Sequence, residues 1–293
     1  VKRRFYQLDV FTTKPFEGNA LAVVTDGDNI SNDRMQAVAR EMNLSETVFV
    51  QRPTNNRALA RLRIFTTQRE LPLAGHPVIG TWFLLAQLGV VPASEGQVRI
   101  LQQTGAGILP VELSFHEGRP VRVTMTQKPA KFRPTRIKRK AMAAALGLNA
   151  RDIVADLPIE AVSTGIFNLM VPIASRKALS KIAMNLTDAA KLLRGVSQVA
   201  YCFTLGGDGH VFSRGMLPWG AIEDPATGSA AGSLGAYLVR HGKLRTGEQL
   251  KILQGVEMMR PSHIEVEVDG TRGKLMPRVS GAAVCVLEGH IEA

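Results

Sequence analysis

From Leu71 to Ser94 the chain reads LPLAGHPVIGTWFLLAQLGVVPAS, 24 residues without an Asp, Glu, Lys or Arg. Pro72, Pro77 and Pro92 cut this run and leave a helical stretch only from about Val78 to Leu88. That is well short of the roughly 20 residues a membrane span needs. Because the stretch is apolar nearly all round, it predicts a helix buried inside a domain rather than one lying on a surface. Ser229–His241 predicts a second buried helix, rich in small residues that permit close packing. The two are related by an offset of 152 residues. Ala74 matches Ala226 and Gly80 matches Gly232, each within a Gly- and Pro-containing loop that opens a helix. The pattern predicts two halves, each sending a small-residue loop into the N-terminus of its central helix.

Strands surround these helices. Leu62 and Ile64 alternate with Arg61 and Arg63. Val121, Val123 and Met125 alternate with Arg122, Thr124 and Thr126, and Ile264, Val266 and Val268 with Glu265, Glu267 and Asp269. Each alternation gives a strand with one buried and one wet face, as antiparallel or mixed sheets require. Gly and Pro at 105–110, 118–120 and 270–273 predict hairpin-like connections. Ser31 is placed to cap a helix carrying Met35, Val38, Ala39 and Met42, ending near Asn43. Further helices are predicted at Lys138–Leu146, Lys177–Met184 and Thr187–Leu193. The fold class is α+β, and 293 residues at about 150 per domain suggest two domains. We place an N-terminal lobe at 1–127, a basic linker at 128–140 and a C-terminal lobe at 141–279. A tail at 280–293 is positioned to pair back onto the first lobe.

The charge supports that division. The chain carries 36 Lys+Arg against 25 Asp+Glu, a formal +11. KPAKFRPTRIKRK, Lys128–Lys140, holds seven basic residues and no acid, and without it the excess falls to +4. Pro129 and Pro134 break any helix there, so the block reads as a solvated linker. Phe132 is its only aromatic residue, which leaves little for base stacking and argues against a nucleic-acid partner. A hydrophobic share of 45% and a charged share of 21% exclude general disorder. Two cysteines, Cys202 and Cys285, make neither a disulfide framework nor a four-thiolate zinc site. Asp9 and polar residues follow Lys2, Arg3 and Arg4 where a signal peptide would be apolar, so the expectation is a cytoplasmic protein off the membrane.

Four segments hold candidate chemistry. In AGHPVIG, Ala74–Gly80, Gly75 permits close backbone approach, and His76 either meets a substrate or satisfies loop carbonyls. In EDPATGSAAG, Glu223–Gly232, the helix start at Thr227, Gly228 and Ser229 either binds a carboxylate or phosphate or is a capped structural terminus, with Asp224 favourable to its dipole. In NLSETVFV, Asn43–Val50, Glu46 stands between a helix end and an apolar strand. It is either an acid/base of raised pKa or a solvent-facing strand residue. Asn19, after Gly18, orients a ligand or shapes a turn. No HExxH, paired-cysteine, Walker or complete dinucleotide-binding pattern occurs, and Gly105-Ala106-Gly107 is only half such a loop. AGSLG at Ala231–Gly235 misses the esterase signature at its first position and places Ser233 inside a helix.

Taken together these segments resemble the PhzF-type phenazine-biosynthesis isomerase family, related in fold to diaminopimelate epimerases. The likeness runs through Asp9–Val24, Ala39–Val50, Arg63–Thr81, Gln102–Leu113, Glu223–Leu238 and Gln254–Val268. It implies two pseudosymmetric lobes, each a barrel-like, mostly antiparallel sheet around a central helix, with the site in the cleft. It also implies a homodimer and proton transfer on a small carboxylic acid, with neither cofactor nor metal. Glu46 matches the proton-shuttling glutamate, with His76, Asp224 and Ser229 around the substrate. Gly75 and Asp224 stand where the epimerase relatives carry two cysteines, which disfavours a two-thiol racemase. Asn19, Gly75, Thr227, Gly228 and Ser229 are the substrate-binding candidates.

This sequence departs from the family pattern at Ala20, at Thr67, in Ser213–Pro225 and at Met259, so the phenazine substrate does not transfer with the resemblance. An amino-acid racemase or epimerase on the same scaffold stays open. So does a non-catalytic protein that binds through the basic block.

Overall fold

The chain folds as two units, Val1–Met125 together with Ser280–Ala293, and Thr126–Val279. They are seen in a computed structural model that describes residues 1–92, 94–207, 209–219, 222–271 and 273–293. In chain order the first unit contains β1 (Lys2–Val10), β2 (Asn19–Val24), α1 (Asn32–Met42), β3 (Glu46–Gln51), β4 (Ala60–Phe65) and β5 (Glu70–Leu71). It continues with α2 (Gly75–Gln87), β6 (Gly96–Thr104), β7 (Gly107–His116) and β8 (Arg119–Thr126). The second unit contains β9 (Lys131–Pro134), α3 (Arg139–Ala145), β10 (Glu160–Ser163), β11 (Phe167–Pro172), α4 (Arg176–Ser180) and α5 (Leu186–Leu193). There follow β12 (Ala200–Leu205), β13 (His210–Met216), β14 (Glu223–Asp224), α6 (Gly228–Arg240), β15 (Gln249–Gln254), β16 (Ser262–Thr271) and β17 (Lys274–Gly281). The last strand, β18 (Ala283–Glu292), pairs with β1 and completes the first unit.

Within the first unit the strands lie in the order β18–β1–β2–β3–β4–β6–β7–β8, with β5 on the β6 side of β4. The second unit repeats this plan as β9–β10–β11–β12–β13–β15–β16, with β14 on β13. Most pairs are antiparallel. The parallel ones are β2 with β3, β4 with β6, β11 with β12 and β13 with β15, and each of these connections contains a helix, as a crossover requires. Residue alternation marks a half-buried strand without telling its neighbour's direction, so the mixed sheet was not separable from an antiparallel one.

The apolar run becomes α2, buried at every residue from His76 to Ala86 and packed against β1, β2, β3 and β18. Gly80 is where it comes closest, since a Cβ there would lie 2.6 Å from Val10 and 2.7 Å from Leu21. In the second unit α6 packs against β16, β10 and β11, with Gly235 facing Val266 and Val268. The amphipathic helices cover further cores. Met35, Val38 and Ala39 of α1 join Phe5, Val24, Phe49 and Phe65, and α3, α4 and α5 lie over Leu169, Val171 and Ala200. Ser31 caps α1 and Asn43 ends it in the left-handed region at φ 51°.

Two expectations are corrected. The segment 128–140 is no linker. Lys131–Pro134 pairs antiparallel with β10, Phe132 lies under Arg240, and Arg139 and Lys140 open α3, so the division falls near Met125. Prolines that exclude a helix interior are tolerated in a short edge strand, which is what forms here. All seven of its basic side chains are exposed. Helix α4 stops at Ser180 rather than near Met184, because Ala183 and Asn185 donate their amides to the last carbonyls around α3, those of Leu146 and Ala145. The predicted turn at 270–273 includes Arg272, and the run Ser213–Pro225 includes Gly220 and Ala221; these three lie outside the described residues. Among the described residues no helix is long and apolar enough to cross a membrane.

Candidate active site

Glu46 opens β3 and lies opposite Leu21 in the parallel register. His76 stands in the first turn of α2. The two meet, with Glu46 Oε2 3.3 Å from His76 Nε2 and side-chain exposures of 16% and 8%. The contact has ion-pair distance without hydrogen-bond alignment. Burial pushes the His76 imidazole down to about 3. It is therefore neutral near pH 7, with one nitrogen that donates and one that accepts. A carboxylate held against a neutral imidazole, both mostly out of water, is equipped to accept a proton and to hand one on.

Asn19 is buried at the start of β2, opposite Val10. Gly18 before it has φ +69°, and a Cβ there would lie 2.3 Å from the Val10 carbonyl oxygen, so only glycine fits this turn. Gly75 is the first residue of α2, and Ala74 at its N-cap has no polar side chain to offer.

In the second unit Asp224 ends the two-residue strand β14. Its Oδ2 accepts from the Thr227 hydroxyl at 2.6 Å. Thr227 occupies the N-cap of α6 yet gives no side-chain cap, because its hydroxyl is spent on Asp224. Ser31, Ser175 and Asn185 cap α1, α4 and α5, whereas α2 and α6, like the short α3, have no side-chain cap. The first turns of both central helices thus keep amides suited to a carboxylate. Gly228 begins α6, with its carbonyl held by Gln127 Nε2 at 2.9 Å, and Ser229 beside it is half-buried. Glu46, His76, Asn19 and Gly75 belong to the first unit, and Asp224, Thr227, Gly228 and Ser229 to the second.

One residue that holds the Asp224 segment, Gln254, is not among the sequence candidates. Gln254, fully buried, accepts from Tyr201 Oη (2.8 Å) and Thr227 N (3.1 Å) and donates to Asp224 O (2.7 Å) and Thr227 Oγ1 (3.0 Å). A signal existed, since Gln254 continues the inward-facing series Leu250 and Ile252 at a spacing of two. The half-matched glycine loop also finds its role. Gly105 lies against Pro72, where a Cβ would be 2.8 Å from Cα, and Ala106 N donates to Pro72 O at 3.0 Å. The turn braces the loop leading to His76. Cys202 is a core residue whose thiol burial pushes up to about 12, and Cys285 is half-buried on β18, so neither stands in a site motif.

Neutral buried His76 makes the fold acid-sensitive. An unfolded imidazole titrates near 6.5 and this one near 3, so below about 6.5 the unfolded chain binds a proton that the folded chain does not. Stability is therefore present above that pH and declines on acidification. His76 should contribute about 2 kcal/mol of loss between pH 7 and pH 5. Urea midpoints at the two pH values check this, His76→Gln being expected to show the smaller drop. Equal drops would mean that His76 is not held neutral.

The site thus joins a carboxylate–imidazole contact at the start of a buried helix to an α+β fold built twice. The chain belongs to the phenazine biosynthesis-like family, whose model matches residues 8–289. It is 37% identical over 289 residues to the trans-2,3-dihydro-3-hydroxyanthranilate isomerase of Pseudomonas aeruginosa, covering 98% of each chain. The crystal structure of a Bacillus anthracis phenazine biosynthesis protein of the PhzF family superimposes with a TM-score of 0.90 at 28% identity, covering 100% of both chains. A probable proline racemase from Agrobacterium radiobacter shares the fold, with a TM-score of 0.67, 15% identity and coverage of 99% of this chain and 93% of that one. The chain is accordingly an isomerase-type enzyme.

Proposed function

We propose that the protein catalyses a cofactor-independent hydrogen shift or tautomerisation on a small unsaturated carboxylic acid. The observation that carries this reading is the contact of Glu46 with the neutral, buried His76. Glu46 as carboxylate takes a proton from a substrate carbon, the electron pair moves into the adjoining unsaturated system, and the same carboxyl returns the proton at another carbon. Reactant and product have the same atoms, so the step needs no oxidant or reductant. His76 hydrogen-bonds the substrate and stands beside Glu46 without competing as a cation. The uncapped first turns of α2 and α6, at Gly75 and at Gly228–Ser229, supply amides to the carboxylate and to developing negative charge. Asp224, steadied by Thr227, is the second polar group of the reaction, and Asn19 helps orient the substrate.

Trans-2,3-dihydro-3-hydroxyanthranilate, on which the Pseudomonas aeruginosa relative acts, is the first compound to try. Incubated with the protein in heavy water, it is expected to isomerise and to gain solvent deuterium at carbon, read by mass spectrometry and proton NMR. A panel of small cyclic and amino carboxylic acids extends the assay. Exchange only at the α-carbon of amino acids, without a hydrogen shift, would replace this reading with a racemase, and no exchange by any acid would remove it.

A further inference from the structure

Asp224 and the loop ending at His76 are each reached through a two-residue strand, and two hydrogen-bonded residues are too few to hold a segment by themselves. In the second unit the strand is β14, with Glu223 opposite Met216 and Asp224 opposite Gly215. The Glu223 carboxylate is gripped in a fork by Arg214, Nε to Oε1 at 2.9 Å and Nη2 to Oε2 at 2.6 Å. The remaining arm, Nη1, donates to the carbonyls of Leu179 (3.2 Å) and Ile182 (3.1 Å) at the end of α4. Both members of the pair are 9% exposed.

The first unit contains the same device. Strand β5 sets Glu70 opposite Phe65 and Leu71 opposite Ile64. Arg63 grips Glu70 through Nε to Oε1 at 2.7 Å and Nη2 to Oε2 at 2.6 Å. Its Nη1 donates to Asn32 Oδ1 (2.9 Å) at the start of α1. In both units the arginine precedes by one residue the strand position that pairs with the residue after the glutamate. The central helix then begins five residues beyond that glutamate, at Gly75 after Glu70 and at Gly228 after Glu223. In both, the arginine ties the short strand to the end of another helix, α1 for Arg63 and α4 for Arg214. A glycine also lies on the proline of the loop in each case, Gly105 on Pro72 and Gly255 on Pro225.

We propose that Arg214 and Arg63 are positioning residues, a duplicated pair of clamps that set Asp224 and the His76 loop for the reaction. The proposal rests on the reading that Asp224 and His76 serve that reaction. Glu223 and Asp224 are neighbours on one strand and so point to opposite faces. Fixing Glu223 from one side orients Asp224 on the other, where Thr227 receives it. A lysine keeps the charge but has no planar fork, so it cannot make the paired bonds or the third-arm bonds.

The test uses Arg214→Lys and Arg63→Lys in the full chain, with two readouts. Hydrogen exchange by mass spectrometry is expected to quicken about 10-fold or more at 222–230 in the first variant and at 68–76 in the second, with other segments unchanged. Turnover of whichever acid the unsubstituted protein isomerises is expected to lose about 10- to 100-fold in kcat for Arg214→Lys. The loss should be nearer threefold for Arg63→Lys, whose glutamate is 40% exposed, with KM moving less than threefold in both. Unchanged exchange at both segments, exchange that quickens throughout a unit, or local loosening with kcat intact would each overturn the proposal. Should Arg214→Lys not fold cooperatively in urea, the half-exposed clamp at Arg63 decides the matter by the same criteria. The exchange readout needs no substrate, so an unsubstituted protein that turns over no acid counts against the proposed function and leaves the clamps to be judged by exchange.

Discussion

Glu46→Gln is expected to reduce solvent-deuterium incorporation and isomerisation by about 10³-fold, within the 10²- to 10⁴-fold range that a positioned acid/base supplies. The amide matches the carboxyl in size and keeps a polar group beside His76, 3.3 Å away, so the pocket is neither emptied nor charged. What is lost is the ability to take up a proton. At 16% exposure the position offers water little access to substitute as base. Glu46→Asp separates chemistry from placement. It retains the carboxyl and withdraws it by one methylene, and is expected to cost about 100-fold, the penalty of misplacing a reacting group by about 1 Å. Urea midpoints close to that of the unsubstituted chain would show that both effects belong to the reaction. Undiminished deuterium exchange in Glu46→Gln would take Glu46 out of the mechanism.

Gln254→Leu should strongly destabilise the second unit. Leucine approximates the shape but strands four groups: the Tyr201 hydroxyl, the Thr227 amide, the Asp224 carbonyl and the Thr227 hydroxyl. Tyr201 keeps its bond to Ser213 at 2.9 Å and Thr227 its bond to Asp224, so not every group is left bare. With about 1–3 kcal/mol for each buried group left unsatisfied, a net loss of about 3–5 kcal/mol is expected, read as a lower urea midpoint with unchanged slope. Turnover should fall beyond what the unfolded fraction explains, because the same bonds set the turn from Asp224 to Thr227. Gln254→Glu is the companion variant. It restores the acceptor oxygen for Tyr201 and Thr227 N but not the two donated bonds. A Gln254→Leu protein as stable and active as the original would show that this network neither supports the fold nor holds Asp224.

Several features could be read locally because their causes lie within a few residues. The helix starting after Ser31 and closing at Asn43 follows from a cap, a periodic face and a left-handed stop, all near one another in the chain. The burial of α2 follows from an unbroken apolar surface, and the duplication from Ala74 and Gly80 matching Ala226 and Gly232. The basic segment 128–140 misled for the opposite reason. Its prolines and charges describe a stretch unsuited to a helix interior, but whether such a stretch hangs free or becomes an edge strand depends on β10, which starts at Glu160 and was not part of the local pattern. Thr227 looked like a cap by position, yet its hydroxyl went to Asp224, only three residues back, once Gln254 had fixed the turn.

By itself the sequence determined the α+β class, the two buried helices and the identity of Glu46, His76 and Asp224 as the groups to examine, since these depend on residue type, short-range periodicity and motif. Only the tertiary structure decided which strands run parallel, that Glu46 touches a neutral His76, and that Arg214, Arg63 and Gln254 hold the segments around the candidate groups. Those are pairings between residues separated in the chain, such as Glu46 with His76 and Gln254 with Asp224, 30 positions apart. Their partners are chosen by which faces the sheets bury together, because a fork or an amide committed out of water must find its complement wherever the fold brings one.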